Sequence, residues 1–361
     1  MKFRSLILFF ISIFLISVAC DPYKIEIPNQ GITNGGNTGS EGDNTGEGTT
    51  EVPTSVTYPA SGVAKVKTLQ TVGYFRENTI KTGITHYSFY GMDDVTKAPQ
   101  NVNVLEVDLN NPAYKINFYY TSRSKTSEVG KNNNAIAAIN AAFEQEAIYN
   151  RTNGVNHSEV TLEKGHLRYW KHEAAMVGDG QRKIGIIYGA KGAKNIDEGG
   201  EQALKIYKQL TEKNIFASAP MLIDEFEPVG VSFVPDYLTS SYINGLEYED
   251  YRRHQGVRHP RTAVALTEDN DLLLITVDGR FPGNAEGMSA KELTLFIAKH
   301  FNPRWAMNFD GGGSTTMYIK GAGTTNDVVN HPSNTGSTWD SAVERDLSTF
   351  ILVQYNESIV R

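Results

Sequence analysis

Apolar and polar residues alternate along Asn103–Leu109 and Tyr114–Tyr120, the period-two pattern of half-buried strands, and Asn110-Asn111-Pro112 between them predicts a hairpin turn. Short apolar runs predict further strands at Ala135–Ile139, Lys183–Tyr188, Ile215–Ile223, Thr262–Thr267, Leu272–Val277, Trp305–Phe309, Thr315–Ile319 and Phe350–Val353. Helical spacing is clear in one place. Ser289 and Glu292 have capping-box spacing, Leu293, Phe296, Ile297 and Phe301 follow on one face, and Pro303 ends the run. A second helix is expected over Gly200–Leu210. Strand signals outnumber helix signals, so the expected class is α/β (α+β), a mixed, strand-rich sheet with a few helices.

The pattern changes before residue 63. Lys2 and Arg4 precede an unbroken apolar run that closes on Ser17-Val18-Ala19-Cys20, the layout of a secretory signal. Residues 17–20 resemble a bacterial lipobox, with Ser17 where Leu is commoner, so cleavage before Cys20 and lipid attachment to its sulfur are expected. Cys20 is the single cysteine, which excludes a disulfide framework, a thiolate zinc site and a Cys nucleophile from the folded part. Residues 28–62 are rich in Gly, Asn, Thr and acid and hold no Lys or Arg. Such a stretch buries too little apolar surface to offset its chain entropy. The expected organisation is a signal peptide over 1–19, lipidated Cys20 and a flexible tether over 20–62, and one domain over 63–361. The expected place is the cell envelope, lipid-anchored at the outer membrane on its periplasmic or surface face.

Charge narrows the partners. The chain has 34 Lys+Arg against 41 Asp+Glu, a net charge of −7; losing Lys2 and Arg4 leaves 32 against 41, or −9. No basic cluster exceeds a pair, which argues against a nucleic-acid partner.

The segment Arg261–Lys320 carries the candidate chemistry. It reads as strand, acidic turn, strand ending in Asp278-Gly279-Arg280, capped helix, then strand ending in Asp310-Gly311-Gly312-Gly313-Ser314. A right-handed strand–helix–strand crossover makes its two strands parallel. Both Asp-Gly loops then leave carboxyl ends on one sheet edge, where ligands bind. Three successive glycines cost backbone entropy, which suggests close approach to something. The N–H groups of Gly311, Gly312, Gly313 and Ser314 can form a nest for a phosphate, with a plain Asp-Gly turn as the bland alternative. Asp278 and Asp310 at one mouth can divide acid and base labour, or hold a hard cation such as Ca²⁺ or Mg²⁺. Asn140, ending the Ala135–Ile139 run, and Arg261, opening its strand, are further candidates. Their competing readings are a capping amide and a salt-bridged head. The eight histidines lack H-E-x-x-H spacing, so no metal is assigned to them, and neither a G-x-S-x-G elbow nor a Walker loop occurs.

Taken in order, RTAVAL, LLLITVDGR, the Ser289 helix, AMNFDGGGSTTMYIKG, VVNHPS and VERDLSTFILV resemble the phosphodiester glycosidase domain family. AIAAINAAFEQE and ASAPMLIDEFEPV match it more loosely, so the likeness covers about residues 74–355. The resemblance implies hydrolysis of the sugar C1–O bond of a sugar-1-phosphate diester in a glycan or exopolysaccharide. It implies catalytic roles for Asp310 and Asp278. It implies substrate-binding roles for Asn140, Arg261, Gly279, Gly311, Gly312, Gly313, Ser314 and Arg345. A sugar 1-phosphate is already a competent leaving group, so little general-acid help is needed. Phosphate charge and an oxocarbenium-like centre must still be stabilised. The glycine nest, Arg261 and Arg345 would serve the first; Asp310 or Asp278 the second, with Asp310 preferred as nucleophile or base for its glycine-rich exit. Ala141 and Ala142 depart from the family's two glycines, and Glu144 from its second Phe. The added Cβ atoms are expected to narrow the approach beside Asn140. Two other readings follow: a non-catalytic glycan-binding surface lipoprotein, and a metal-dependent phosphodiesterase with Asp278 and Asp310 as oxygen ligands.

Overall fold

The computed structural model describes residues 56–59, 69–71, 73–143, 148–158, 168–231, 238–339, 342–356 and 359. The signal run, the lipobox and Glu144 lie outside the described residues. The strands are β1 (Arg76–Lys81), β2 (Ile84–Met92), β3 (Pro99–Asp108), β4 (Tyr114–Ser124), β5 (Ala137–Asn140), β6 (Asn150–Thr152), β7 (Val155–Asn156) and β8 (Ala174–Gly178). They continue with β9 (Ile184–Tyr188), β10 (Asn214–Ser218), β11 (Met221–Asp224), β12 (Arg261–Leu266), β13 (Asp271–Val277), β14 (Trp305–Asn308), β15 (Met317–Ile319) and β16 (Leu347–Tyr355). The helices are α1 (Thr126–Asn132), α2 (Ile196–Gln209), α3 (Ser240–Asn244), α4 (Tyr251–Gly256) and α5 (Ala290–Phe301).

Among the described residues three antiparallel sheets form, in the orders β1-β2-β3-β13-β12-β14-β11, β7-β6-β10-β8-β9 and β15-β5-β16-β4. This is the strand-rich α+β class. The sheets share one central core: Val264, Leu266, Leu272 and Leu274 of the first pack in one cluster with Met176 and Phe216 of the second and Ile139, Ile351 and Val353 of the third. Each sheet turns its other face to a helix. Ala263, Ala265, Leu273 and Ile275 meet Leu293, Phe296, Ile297 and Phe301 of α5. Ala175, Val177, Ile215 and Ala217 meet Ala203, Leu204 and Tyr207 of α2. Ala138, Phe350 and Leu352 meet Val129 of α1. Burial on both faces explains why β12 and β13 read as nearly continuous apolar runs.

The crossover has the expected sense with one strand interposed. β12 pairs antiparallel with both β13 and β14, so those two run parallel with β12 between them, and α5 connects them. Ser289 Oγ accepts from the Glu292 N–H at 3.2 Å and the Glu292 carboxylate from the Ser289 N–H at 2.9 Å, a closed capping box worth about 1 kcal/mol. Register fixes the edge: Arg261 lies opposite Val277, Ala263 opposite Asn308. Asp278 and Asp310 therefore leave the sheet at the end where β12 begins.

Several expectations need correction. β3 and β4 do not form a hairpin, because β3 is already paired on both sides by β2 and β13, and the chain passes to another sheet where β4 pairs with β16. The single strand expected over Ile215–Ile223 is two, β10 and β11, in different sheets on either side of Ala219-Pro220. α2 begins four residues early, where Asn195 caps it by accepting from the Glu198 N–H at 2.9 Å. Residues 56–59, assigned by composition to the tether, lie on the domain: the Tyr58 hydroxyl donates to Glu212 at 3.0 Å and Lys183 sits 4.1 Å over its ring. No helix among the described residues is long and apolar enough to cross a membrane.

Candidate active site

The loop after β14 is built by close backbone packing. A Cβ on Gly311 would come within 2.5 Å of Pro260 O, and one on Gly313 within 2.6 Å of Arg345 Nη2. Gly312 has φ +63, and a Cβ there would stand 2.9 Å from Arg280 Nη2. Gly279 of the other loop is crowded in the same way by Pro260 N at 2.7 Å. The glycines thus let chain segments and two guanidinium groups converge. They do not form the expected open nest: Gly312 N–H donates to Pro260 O at 2.8 Å, Ser314 N–H to Gly311 O at 3.2 Å, and Gly311 N–H to the Asp310 carboxylate. Positive charge at this loop comes from arginines instead.

Asn140 does not face outward. It is 1% exposed; its Nδ2 donates to Asp310 O at 2.6 Å, and its Oδ1 accepts from Thr262 Oγ1 at 2.8 Å and Thr316 N at 3.1 Å. Its position is at the meeting of β5, β12 and the glycine loop, where it holds the Asp310 backbone. Asp310 N–H donates to Ala141 O at 2.9 Å. The methyls of Ala141 and Ala142 are buried in the central core, so they do not narrow the approach as expected.

The Asp310 side chain is enclosed by polar and cationic groups while the residue keeps partial access to solvent. Burial raises its pKa; the Ser314 hydroxyl, Lys171, Arg345 and the Gly311 N–H oppose that shift without cancelling it. Arg345 reaches Ser314 Oγ at 3.4 Å and Asn334 Oδ1 at 3.3 Å. Arg280 is exposed and held at φ +67 beside Gly312. On the other flank Lys171 Nζ lies 2.6 Å from Glu249 and 4.6 Å from the Phe143 ring centroid, and burial lowers its pKa. His254 packs against Phe143 and Trp170 at 5.5 and 4.9 Å. Burial, with Arg261 and Lys171 nearby, pulls its pKa well down, and His259 is pulled down to about 3 by burial and by Arg261 and Arg280. Both imidazoles are neutral at neutral pH.

Asp278 is different. It is 0% exposed and its two oxygens accept four hydrogen bonds: Asn101 Nδ2 at 2.6 Å, Asn330 Nδ2 at 2.8 Å, His331 N at 2.8 Å and His331 Nδ1 at 2.9 Å. Asn330 also donates to Thr315 O at 3.0 Å, which ties this carboxylate to the segment following Asp310. His331 is partly exposed and stacks on Trp339 at 3.8 Å, and Trp339 stacks on Tyr90 at 5.6 Å. An Asp–His pair beside an aromatic ledge is the arrangement that orients an imidazole for proton transfer.

Arg261 lies inside the fold and not at an open strand end. It is 1% exposed and donates to Met288 O at 2.8 Å, His254 O at 2.8 Å and Val257 O at 2.9 Å. Burial pulls its pKa down to about 10. Its guanidinium ties the end of α4 to the sheet. Among the described residues the one group of three or more His, Asp or Glu side chains close enough to share an ion is Asp93, Asp94 and His300, where Lys299 already pairs with Asp94; Asp278 and Asp310 are not part of it.

Arg280, Lys171 and His331 were missed. Arg280 stands in the Asp-Gly-Arg run, but its left-handed backbone beside Gly312 is not legible there. His331 lies 53 residues beyond its partner, in the turn-like Asn-His-Pro-Ser. Lys171 sits in Tyr-Trp-Lys-His, which reads as packing.

A zebrafish N-acetylglucosamine-1-phosphodiester alpha-N-acetylglucosaminidase catalytic domain, auto-inhibited by its pro-peptide, has a similar fold: TM-score 0.50 and 16% identity over 82% of this chain and 86% of that one. A hypothetical protein from Synechocystis gives TM-score 0.48 and 13% identity over 77% of this chain; the present chain spans 63% of its length. No curated protein sequence matches significantly. The sequence profile of the phosphodiester glycosidases matches residues 133–354, more than half of the 361. The chain belongs to the phosphodiester glycosidase family, a family of hydrolytic enzymes.

Proposed function

We propose that this protein is a lipid-anchored hydrolase of the cell envelope that cleaves the C1–O bond of a sugar-1-phosphate diester in a glycan or exopolysaccharide. The observation that carries the reading is a single sheet edge with two contrasting carboxylates: Asp310 near Arg345 and Lys171, with Arg280 against Gly312 of the same loop, and Asp278 bound to His331. The guanidinium groups suit a phosphodiester, and their charge stabilises the departing phosphate. Asp310, ionised, acts at C1 as nucleophile or as base toward water. Where Asp310 is the nucleophile, His331, held by Asp278, takes the proton of the water that hydrolyses the glycosyl ester; where Asp310 is the base, His331 gives a proton to the departing phosphate.

The name of the zebrafish enzyme makes an N-acetylglucosamine-1-phosphodiester the first substrate to try. Hydrolysis in heavy-oxygen water puts the label in the sugar if C–O breaks. Label in the phosphate would mean P–O cleavage and overturn the proposal. Lipid anchoring is tested separately: radiolabelled palmitate incorporated by the wild type and lost in Cys20→Ala supports it, and a Cys20→Ala protein that stays in the membrane fraction contradicts it.

A further inference from the structure

Trp170, which packs against His254 beside the candidate active site, also lines a cavity of about 450 Å³. That is in the range of small-molecule sites, roughly 300–1,000 Å³. Tyr188, Tyr251, Glu173, Gln255 and the start of α2 complete its wall, with Ala190, Ala193 and Gly199 leaving the space open. Gln255 is 1% exposed, and its carboxamide oxygen has no hydrogen-bond partner among the described residues. A buried acceptor of this kind is costly unless something donates to it.

The other polar groups define what that donor is attached to. Glu173 is buried, accepts from Met221 N at 3.3 Å and is hydrogen-bonded to the Tyr188 hydroxyl. Burial raises its pKa well above the ordinary carboxylate range, which favours its neutral form. The α2 N-terminus is occupied by its own residues: Asn195 Oδ1 takes the Glu198 N–H, and Asp197 and Glu198 fill the first turn. An anion gains nothing there. The surroundings are three aromatic rings, two tyrosine hydroxyls, one carboxyl that burial biases toward its neutral form and one unfilled carbonyl acceptor, with Asn195 and Lys194 at the exposed rim. They fit a neutral, hydroxylated ring compound, whose apolar face packs on aromatics while its hydroxyls donate and accept.

We propose that this cavity binds one neutral pyranose unit and serves as an accessory subsite for the glycan chain, an inference that rests on the glycan-hydrolysing reading above. The link to the active site is direct in the chain. Trp170 precedes Lys171, and Gln255 follows His254 on α4, so the same two elements wall both places.

The test titrates full-length wild type with N-acetylglucosamine, mannose and galactose by calorimetry, alongside Gln255→Leu, which removes the acceptor, and Ala193→Trp, which fills the space. The expected result is binding of at least one sugar by the wild type, weakened tenfold or more in both variants, with turnover of a small synthetic sugar phosphodiester within twofold of wild type. Wild type that turns over the diester but binds none of the sugars overturns the subsite, as does binding unchanged in both variants. Sugar binding lost in the variants of a protein inert toward every diester leaves the subsite standing and removes the catalytic reading instead. Thermal unfolding of each variant shows whether it is folded; Ala193→Trp, in a partly exposed turn, carries the test if Gln255→Leu does not fold.

Discussion

The two Asp-Gly loops look alike in the sequence and differ in every physical respect that matters for reactivity. Asp278 is sealed from water, with four donors on its two oxygens. Asp310 keeps partial access, shares its surroundings with Ser314, Lys171 and Arg345, and has a pKa raised by burial. A carboxylate sealed from water and crowded with donors is an anchor for the group that binds it. One crowded by cations and poorly solvated is poised to react. The dipeptide specifies the turn, and the residues brought to it from distant elements specify the chemistry.

That contrast can be broken most forcefully at Asp310. Asp310→Asn should lower kcat by about 10³-fold, whereas Asp278→Asn should cost about 10²-fold, because only the former loses the group that meets C1. Equal losses would erase the distinction. Arg280→Met and Arg345→Met should each raise KM for a phosphodiester about tenfold, the worth of one charge-assisted hydrogen bond. Arg261→Met should act on stability instead. It leaves the buried carbonyl of Met288 and the half-buried carbonyls of His254 and Val257 without donors, so unfolding should become easier by about 3 kcal/mol, read from denaturant midpoints. A KM effect from Arg261→Met with unchanged stability would restore it as a ligand for substrate. The smallest effect is one of position on the pH axis. Asp310 acts ionised and its pKa is raised, so activity should fall as pH falls through a value above the ordinary aspartate range of about 4, and the acid limb of kcat/KM should lie there. A limb below 4 would mean that the cations, not burial, control this group.

Much of the frame was legible in residues. The Ser289 capping box, the parallel sense of β13 and β14, and the shared edge of the two loops all follow from local spacing and crossover handedness. What escaped was set by long-range pairing. The turn at Asn110–Pro112 carries no signal that β3 is already taken on both sides. Arg261 reads like any strand-opening arginine, and only the carbonyls of α4 folding back over it make it structural. Asn140 looks like a ligand residue until its three partners, Asp310, Thr262 and Thr316, are seen to come from elsewhere in the chain. Arg280 and His331 were hidden for the same reason, since one needs a left-handed backbone and the other a partner 53 residues away.

The division of labour between the two aspartates is tested most directly by a double-mutant cycle on kcat with Asp278→Asn and His331→Ala. If Asp278 acts only by holding His331, the double variant should be no slower than the His331→Ala protein alone. Fully additive losses would mean that Asp278 acts on substrate independently, and would contradict the account.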